Sequence, residues 1–374
     1  MNFKTTFSLL FLTSLLWTQK VNAQSKKDTL EMVNLFSSDL KEGVSCYRIP
    51  AITTALNGDV IVAIDERVPS CGDLKWSNNI NIVMRRSTDN GTSWSKIETI
   101  VDYPLGESAS DPSMILDETT GELFLFFNYM NLDLEKDVYY LKMVSSKDNG
   151  KTWSTPIDLT SQITKPEWKK DFKFITSGRG IQTQSGDLIH TLVNLEKGLF
   201  LFKSQDHGKT WKLQETPILP ADESKVMELS DGTLMINSRV NNLGIRYVHT
   251  SKDGGITWTS KPENQLIDSG CNASFVRYSL KNKKGSKNIL LFSNPNSKDS
   301  RENLTVKISY DEGKTWSKGK TIYAGSSAYS SMTILKNGEV GLFFEKDDYK
   351  ENVFVRLSLA WLTDGKDAVK SKDK

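Results

Sequence analysis

Seven polar residues of this chain lie seven to ten positions from tight hairpin turns, two more lie in the loops beyond, and the types of all nine could build one reactive site. Four of them begin a strand-like run, nine or ten positions before a turn glycine: Arg48, Asp111, Glu223 and Tyr329. Three follow the same turns by seven to nine positions: Arg67, Arg239 and Glu345. The loops beyond the second strands add two more: Asp73 and Arg301. Because antiparallel strands return to the end at which they began, we expect all nine at one end of the fold.

The four arginines in this set favour an anionic ligand, because the planar guanidinium group matches a carboxylate or a phosphate. A single arginine would more often be a solvated surface charge, so this prediction depends on the whole group. The overall charge disfavours nucleic acid, since 48 Lys and Arg against 46 Asp and Glu leave a formal net charge of +2.

The elements that must position these residues are marked by five copies of the pattern S-x-D-x-G-x-[TS]-W, called Asp boxes below. They begin at Ser87, Ser146, Ser204, Ser251 and Ser309. In each copy the aspartate can accept hydrogen bonds from backbone N–H groups just ahead, the glycine supplies a positive φ, and the tryptophan can fold back to pack. Each box is therefore predicted to be a β-turn between strands, repeated along the chain.

Hairpin turns outnumber the boxes by six to five, and the runs between them are short and rich in β-branched and aromatic residues. The turn glycines are Gly58, Gly121, Gly186, Gly232, Gly285 and Gly338. Six units of four strands predict an all-β fold, a six-bladed β-propeller of four-stranded antiparallel blades. The sixth unit lacks a box; we expect Val353–Leu362 to be its third strand and Met32–Ser37 to close it. The boxes should then lie on the rim opposite the polar set.

The chain ends suggest three segments. Residues 1–23 have the features of a secretory signal, with Lys4 before an apolar run from Phe7 to Trp17 and small residues near Ala23. A membrane anchor is the alternative, but the run is shorter than the ~20 residues that a span needs. We expect export to a periplasm or out of the cell, a propeller domain over residues 24–363, and a charged, disordered tail over 364–374.

Cysteine and histidine are scarce, with three of each. Cys46 and Cys71 could form a disulfide in an oxidising compartment, or both could be buried thiols. The few histidines disfavour a histidine-based metal site or a Ser-His-Asp triad.

Arg48-Ile49-Pro50 resembles the Arg-Ile-Pro motif that opens the exo-α-sialidases (neuraminidases) of the bacterial and animal type, which are six-bladed propellers with Asp-box (BNR) repeats. Asp boxes alone are weakly specific, but the boxes, the motif and the ordered polar set together are specific, and the resemblance covers essentially the whole chain after the leader. It implies an arginine triad for the substrate carboxylate: Arg48, Arg239 and Arg301. Arg246 is the alternative for the second place, and Glu345 matches the carboxylate that steadies Arg48.

The resemblance further implies that Tyr329 is the nucleophile. A free tyrosine has a pKa near 10 and needs a base, and Glu223 matches the glutamate that pairs with it. Asp73 matches the general acid/base. Asp65 and Glu66 are alternative acids, although their strand position favours a structural role.

Two further residues match contacts to the carboxylate side and the 4-hydroxyl of the sugar: Arg67 and Asp111. Arg179 departs from the family, which often has a small residue or proline there. We expect it to be a surface charge, with a contact to the aglycone as the alternative.

The resemblance thus implies a monomeric, retaining exo-α-sialidase that hydrolyses terminal α-linked sialic acid from glycoproteins, glycolipids or oligosaccharides through a tyrosyl-enzyme intermediate. It implies no metal or other cofactor, no nucleic-acid partner and no membrane insertion. A trans-sialidase or anhydro-forming enzyme is the first alternative, and would differ by aromatic groups around the aglycone site. A non-catalytic sialoglycan-binding propeller should lack Tyr329, Glu223 or Asp73, and all three are present. A propeller with only structural Asp boxes is disfavoured by the arginines.

Overall fold

The computed structural model describes residues 30–279 and 288–367, and most of them lie in antiparallel strands. The expected signal segment and the predicted turn at Gly285 lie outside the described residues. Within these two ranges no helix is long and apolar enough to cross a membrane.

The strands form six blades in chain order. Strand β1 (Met32–Phe36) comes first and belongs to the last blade. Blade 1 contains β2 (Cys46–Thr54), β3 (Val60–Val68), β4 (Asn79–Ser87) and β5 (Glu98–Val101). Blade 2 contains β6 (Glu107–Leu116), β7 (Leu123–Asn131), β8 (Tyr140–Ser146) and β9 (Ile157–Asp158). A short helix, α1 (Thr160–Ile163), leads to blade 3.

The inner strand of blade 3 is broken into β10 (Lys173–Ile175), β11 (Gly178–Arg179) and β12 (Ile181–Gln182), and the blade continues with β13 (Leu188–Asn194), β14 (Gly198–Ser204) and β15 (Lys212–Ile218). Blade 4 contains β16 (Ser224–Glu228), β17 (Leu234–Ser238), β18 (Ile245–Ser251) and β19 (Thr259–Ile267). Blade 5 contains β20 (Ser274–Ser279), β21 (Ile289–Pro295) and β22 (Glu302–Ser309). The long β23 (Lys320–Ile334) completes blade 5 and starts blade 6, which adds β24 (Val340–Lys346) and β25 (Glu351–Leu357) before helix α2 (Leu359–Leu362).

The first strand closes the last blade, as predicted. β1 pairs antiparallel with β25, from Met32 opposite Val355 to Phe36 opposite Asn352. Six apolar clusters fill the six junctions between neighbouring blades, including the junction of blade 6 with blade 1. The all-β, six-bladed propeller is therefore confirmed.

The predicted third strand of blade 6 is wrong at its C-terminal end. The strand stops at Leu357 because the Ser358 side chain accepts a hydrogen bond from the Trp361 N–H, which caps α2. Residues 364–367 of the expected tail are described, and Asp364 forms an ion pair with Lys320. Residues 368–374 lie outside the described ranges.

The Asp boxes form the predicted turns. In the first box, Asp89 Oδ1 accepts the Ser93 N–H at 2.8 Å, and Gly91 has a φ of 81°. Hydrogen bonds from the Ser93 side chain and backbone lower the pKa of Asp89 to about 2. The Trp94 ring packs against Phe354 of blade 6, with centroids 5.0 Å apart. Each box therefore fastens its turn and also contacts the preceding blade.

Candidate active site

Three inner strands bulge near the rim opposite the boxes, and each bulge presents a predicted site residue. The strand register shifts between Arg48 and Ala51, between Ser110 and Ser113, and between Ser327 and Ser330. A bulge bends its strand and re-aims the side chains there. These three bulges turn Arg48, Asp111 and Tyr329 toward the end of the propeller axis.

Two of the bulges hold a residue in an unfavourable backbone conformation just before a proline. Ile49 has a φ of 67° and Asp111 a φ of 63°, and a positive φ is particularly costly for a β-branched residue. Buried carboxylates hold both turns: Glu345 accepts the Ile49 N–H at 2.9 Å, and Asp65 accepts the Asp111 N–H at 3.0 Å. Buried carboxylates beside the site therefore support the strain.

The three arginines of the predicted triad surround Tyr329. The guanidinium carbons of Arg48 and Arg301 lie 5.8 Å and 5.4 Å from its ring centre, and Arg239 Nη1 donates to its hydroxyl at 3.3 Å. Glu345 is fully buried and accepts from Arg48 Nε at 2.7 Å and from the Tyr329 N–H at 2.9 Å. It therefore fixes Arg48 and the strand that carries the tyrosine together.

Arg246, the alternative for the second place of the triad, is fully buried behind the site. It donates to Asn237, to Asp268 and to the Cys271 carbonyl. Because these partners occupy its guanidinium, the geometry favours Arg239 for that place.

The Tyr329 hydroxyl and Glu223 form a direct pair. The hydroxyl donates to Glu223 Oε2 at 2.6 Å, and Arg239 Nη1 donates to the same oxygen at 2.6 Å. Burial and the Glu223 charge raise the pKa of Tyr329 well above its usual value, although Arg239 and Arg301 oppose this. The phenol is therefore protonated in this state, with a carboxylate placed to receive its proton.

Asp73 lies in the loop after β3 and is held there by Arg67. Arg67 is fully buried and donates to Asp73 Oδ1 at 2.6 Å, to the Cys71 carbonyl and to Asp65. Asp73 itself is 62% exposed. Partial burial acts to raise the pKa of Asp73, but the charge of Arg67 outweighs it and lowers that pKa below its usual value. In this structure Arg67 holds the loop and does not face the cavity.

The two alternative acids are structural partners. Asp65 is fully buried against Arg67 and also accepts from the Ser110 hydroxyl at 2.6 Å. Glu66 is buried on the other face of β3, where it accepts from Tyr47 and Lys41. Neither carboxylate lines the cavity, so Asp73 is the acid best placed for a substrate.

Asp111 lines the same cavity as Asp73, Glu223 and Tyr329, and its carboxylate accepts a hydrogen bond from the Asn128 amide at 2.9 Å. Desolvation, then the negative charges of Asp65 and Glu223, raise its pKa well above the usual carboxyl range. Asp111 is therefore suited to a hydrogen bond with a neutral hydroxyl group.

The cavity beside Tyr329 has a volume of about 180 Å³ and joins five of the predicted polar residues to an apolar wall. Its polar lining includes Asp73, Asp111, Glu223, Arg239 and Tyr329. Its apolar wall is formed by Leu74, Trp76, Phe172, Phe174 and Leu195, and Trp76 is 61% exposed. Sequence reasoning missed this wall because these residues belong to no repeat; the only signal was that Trp76 follows Asp73 by three positions.

A second cavity of about 280 Å³ adjoins Arg301 and Glu345. It is also lined by Ser326, Asp348 and Tyr349, which the sequence did not indicate. Across the described ranges, no group of three or more His, Cys, Asp or Glu side chains is arranged to hold a metal ion.

A disulfide joins Cys46 to Cys71, so the alternative of two buried thiols is wrong. Each cysteine precedes a site residue by two positions, Arg48 and Asp73 respectively. The bond therefore ties the loop of Asp73 to the strand of Arg48.

Arg179 lies at neither of the places expected for it. It is half-buried in a cavity of about 490 Å³ near the axis, and it donates to the Met332 carbonyl at 3.3 Å. The same cavity is lined by Thr53, Ile115 and Thr333 from the box ends of the inner strands. The broken inner strand of blade 3 turns Arg179 toward this cavity, away from the aglycone side, and partly withdraws it from solvent.

The nine predicted residues therefore meet at one rim and come from five blades. Blade 1 supplies Arg48, Arg67 and Asp73, blade 2 supplies Asp111, and blade 4 supplies Glu223 and Arg239. Blade 5 supplies Arg301, and blade 6 supplies Tyr329 and Glu345. Blade 3 contributes part of the apolar wall.

Known proteins resemble this chain in sequence. The family model of the BNR repeat-like domain matches residues 75–342. The sialidase of Micromonospora viridifaciens is 34% identical over 350 residues, which are 86% of this chain and 53% of that protein. The sialidase of Bacteroides fragilis is 28% identical and covers 87% of this chain and 66% of its own length. This chain thus spans about half of the first relative and just under two thirds of the second.

Solved structures give the same result. A Hadza microbial sialidase superposes with a TM-score of 0.78 at 28% identity, covering 88% of this chain and 69% of its own. A leech intramolecular trans-sialidase superposes with a TM-score of 0.75 at 22% identity, covering 90% and 71%, a similarity that shows the fold alone. This chain therefore belongs to the family of the BNR repeat-like domain, and the relatives that it resembles over most of its length are sialidases.

Proposed function

We propose that this protein is an exo-α-sialidase that releases terminal α-linked sialic acid from glycoproteins, glycolipids or oligosaccharides. The observation that carries the proposal is the Tyr329–Glu223 pair, 2.6 Å apart, surrounded by three arginines and facing Asp73 across one cavity. The arginines match a substrate carboxylate, and the pair matches a nucleophile with its base.

In the first step the Tyr329 oxygen attacks the anomeric carbon while Glu223 takes the phenolic proton. The bond to the leaving group breaks as Asp73 donates a proton to the glycosidic oxygen. The anomeric carbon of sialic acid carries a carboxylate, so a neutral phenol approaches it with less repulsion than a carboxylate nucleophile would.

In the second step water attacks the anomeric carbon and Asp73 takes its proton. The Tyr329 oxygen leaves and recovers its proton from Glu223. Two displacements at one carbon retain its configuration, so the first product is the α-anomer.

Following the hydrolysis of sialyllactose by proton NMR tests this mechanism. We expect the α-anomer first, and turnover reduced by about a thousandfold or more in Tyr329→Phe, which cannot form the intermediate. Tyr140→Phe is the matched control, because Tyr140 bonds to Glu135 in a neighbouring loop. β-Anomer as the first product, or near-normal turnover in Tyr329→Phe, would contradict the mechanism, and wild-type binding without turnover would indicate a lectin-like propeller.

The exposed Trp76 beside the cavity favours one second candidate, a transfer or anhydro-forming reaction. An aromatic face next to the reactive centre can pack against a sugar and exclude water from the intermediate. An anhydro sugar, or sialic acid moved to added lactose, would appear in the same NMR experiment and would favour this candidate.

We also propose that residues 1–23 direct export, on their sequence pattern alone. A mature exported protein that begins at Gln24 on N-terminal sequencing would support this, and an intact N-terminus would contradict it.

A further inference from the structure

The turn between β24 and β25 contains three consecutive residues with a positive φ, and none of them is glycine. The φ angles are 51° at Asp347, 53° at Asp348 and 69° at Tyr349. Elsewhere in residues 30–279 and 288–367, no two non-glycine residues with positive φ are adjacent. This conformation is unfavourable for L-residues and persists only where surrounding contacts enforce it.

The neighbouring strand β23 enforces the turn through Ser326. The Asp347 N–H donates to the Ser326 carbonyl at 2.9 Å, and the Ser326 hydroxyl donates to Asp348 Oδ1 at 2.6 Å. The hydroxyl of Tyr323 and the ammonium of Lys346 both donate to the Asp347 carboxylate. Ser326 lies three residues before Tyr329, so the turn is fixed to the strand of the nucleophile.

The turn places Tyr349 between two arginines of the triad. The Arg48 guanidinium carbon lies 3.8 Å from the centre of the Tyr349 ring. Arg301 Nη1 donates to the Tyr349 hydroxyl at 3.2 Å. One side chain therefore contacts Arg48 through its face and Arg301 through its oxygen.

These contacts suit a site that must keep its positive charge. Arg48 and Arg239 each pair with a carboxylate, Glu345 and Glu223 respectively. Arg301 instead donates to the Tyr349 hydroxyl and the Gly270 carbonyl, and no carboxylate of the described chain pairs with it. A phenol attracts both cations through its π face and its oxygen without a negative charge that would compete with an anionic substrate.

We propose that Tyr349 is a positioning residue that sets the spacing of Arg48 and Arg301 for the carboxylate of the substrate. The inference rests on the proposed sialidase function and deepens it. If Tyr349 only lined the neighbouring cavity, it would contact other parts of the ligand. Replacing it would then weaken the binding of a charged ligand and of an uncharged ligand equally.

Two inhibitors that differ in the charge of that carboxylate test the inference: the 2,3-dehydro derivative of sialic acid and its methyl ester, which carries one added methyl group and no charge. Tyr349→Phe keeps the ring over Arg48 and loses the acceptor for Arg301, whereas Tyr349→Leu loses both. We expect the Ki of the acid to rise about threefold to tenfold in the first variant and more than tenfold in the second. The Ki of the ester should stay within about twofold of wild type.

Tyr278→Phe is the control for loss of a phenolic hydroxyl, since Tyr278 donates to the Gly338 carbonyl on the box rim. Thermal melting of each variant identifies any loss of folding, and the conservative Tyr349→Phe variant decides the test if Tyr349→Leu unfolds. Equal losses for acid and ester, or an unchanged Ki for the acid, would overturn the role of Tyr349. A wild-type protein that does not prefer the acid to the ester would instead contradict the proposed function.

Discussion

At the scale of single residues, Arg67 favours the ionised form of Asp73, whereas acid catalysis requires the protonated form. The two groups lie 2.6 Å apart, and the arginine lowers the pKa of Asp73. A general acid must be protonated when the leaving group departs. Substrate binding should therefore weaken this ion pair or shield Asp73 from water, and the exposed loop position leaves room for either change.

Replacing Asp73 should affect substrates according to their leaving groups. We expect Asp73→Asn to lower kcat/KM about a thousandfold on sialyllactose, whose leaving hydroxyl needs a proton, and less than about tenfold on an aryl sialoside, whose leaving group does not. Steady-state kinetics on both substrates measure the contrast. Asp137→Asn removes an exposed carboxylate that pairs with Lys75 and serves as control. Equal losses on the two substrates would show that Asp73 has another role.

At the scale of elements, the Asp boxes join neighbouring blades. The glycine of each box approaches a side chain of the preceding blade: Phe354 at Gly91, Ile61 at Gly150, Phe124 at Gly208, Leu201 at Gly255 and Met235 at Gly313. The glycine is needed for its positive φ and also because no Cβ fits at the closest of these contacts. The boxes therefore support the active rim from the opposite end of the blades.

Two glycines, one in a box and one in a hairpin turn, allow the need for a positive φ to be tested apart from the need for space. Gly208 has a φ of 79°, and a Cβ there would lie 2.2 Å from Phe124; Gly232 has a φ of 82° and no atom within 4 Å of its Cβ position. Gly232→Ala should cost about 1 kcal/mol of stability for the backbone alone. Gly208→Ala should cost at least about 1–3 kcal/mol more, because the ring must move.

Urea denaturation of both variants measures this difference, and kcat at a permissive temperature should change little in either. Equal destabilisation would show that the box glycines serve only their turns.

At the scale of the whole molecule, the site depends on contacts between distant parts of the chain. Arg48 and Glu345 are 297 positions apart, and Tyr329 and Glu223 are 106 apart. The site should therefore be lost together with the fold, and conditions that weaken the core should abolish activity in the same transition.

Acid should destabilise the molecule through a histidine in that core. His190 is fully buried, with Nδ1 2.7 Å from the Thr191 nitrogen and 3.2 Å from the Thr191 carbonyl oxygen, and Nε2 2.5 Å from the Ser113 hydroxyl oxygen. Burial, and then the charge of Lys225, lower the pKa of His190 to about 3. Between pH 6.5 and about 3 the unfolded chain binds one more proton than the folded protein. Stability should therefore fall as the pH falls, by about 1.4 kcal/mol per pH unit from this residue.

Comparing urea denaturation of wild type and His190→Gln at pH 7, 6, 5 and 4 isolates this effect from the titration of carboxylates. We expect the variant to be less stable at pH 7 but to lose less stability on acidification. Parallel curves would mean that His190 binds its proton in the folded protein as well.

The sequence by itself determined the number of blades and the nine residues of the rim. Turn chemistry is local: serine, aspartate and glycine within one box fix that box, and counting residues from a turn glycine places Arg48 or Tyr329 on its strand. The reversal of direction between antiparallel strands then brings those positions to one end. Such inferences need only the spacing of the repeated turns along the chain. Most of the fold could therefore be predicted from that spacing.

Only the tertiary structure decided which atoms meet. Four features depend on the packing of segments that are far apart in the chain: the burial of Arg67, the inward position of Arg179, the apolar wall with Trp76, and the contacts of Tyr349 with two arginines. Counting positions from a turn predicts the end of the strand at which a residue lies. Bulges and positive-φ turns then choose its direction, and they are stabilised by partners such as Glu345 and Ser326 in other strands, which the local sequence does not encode.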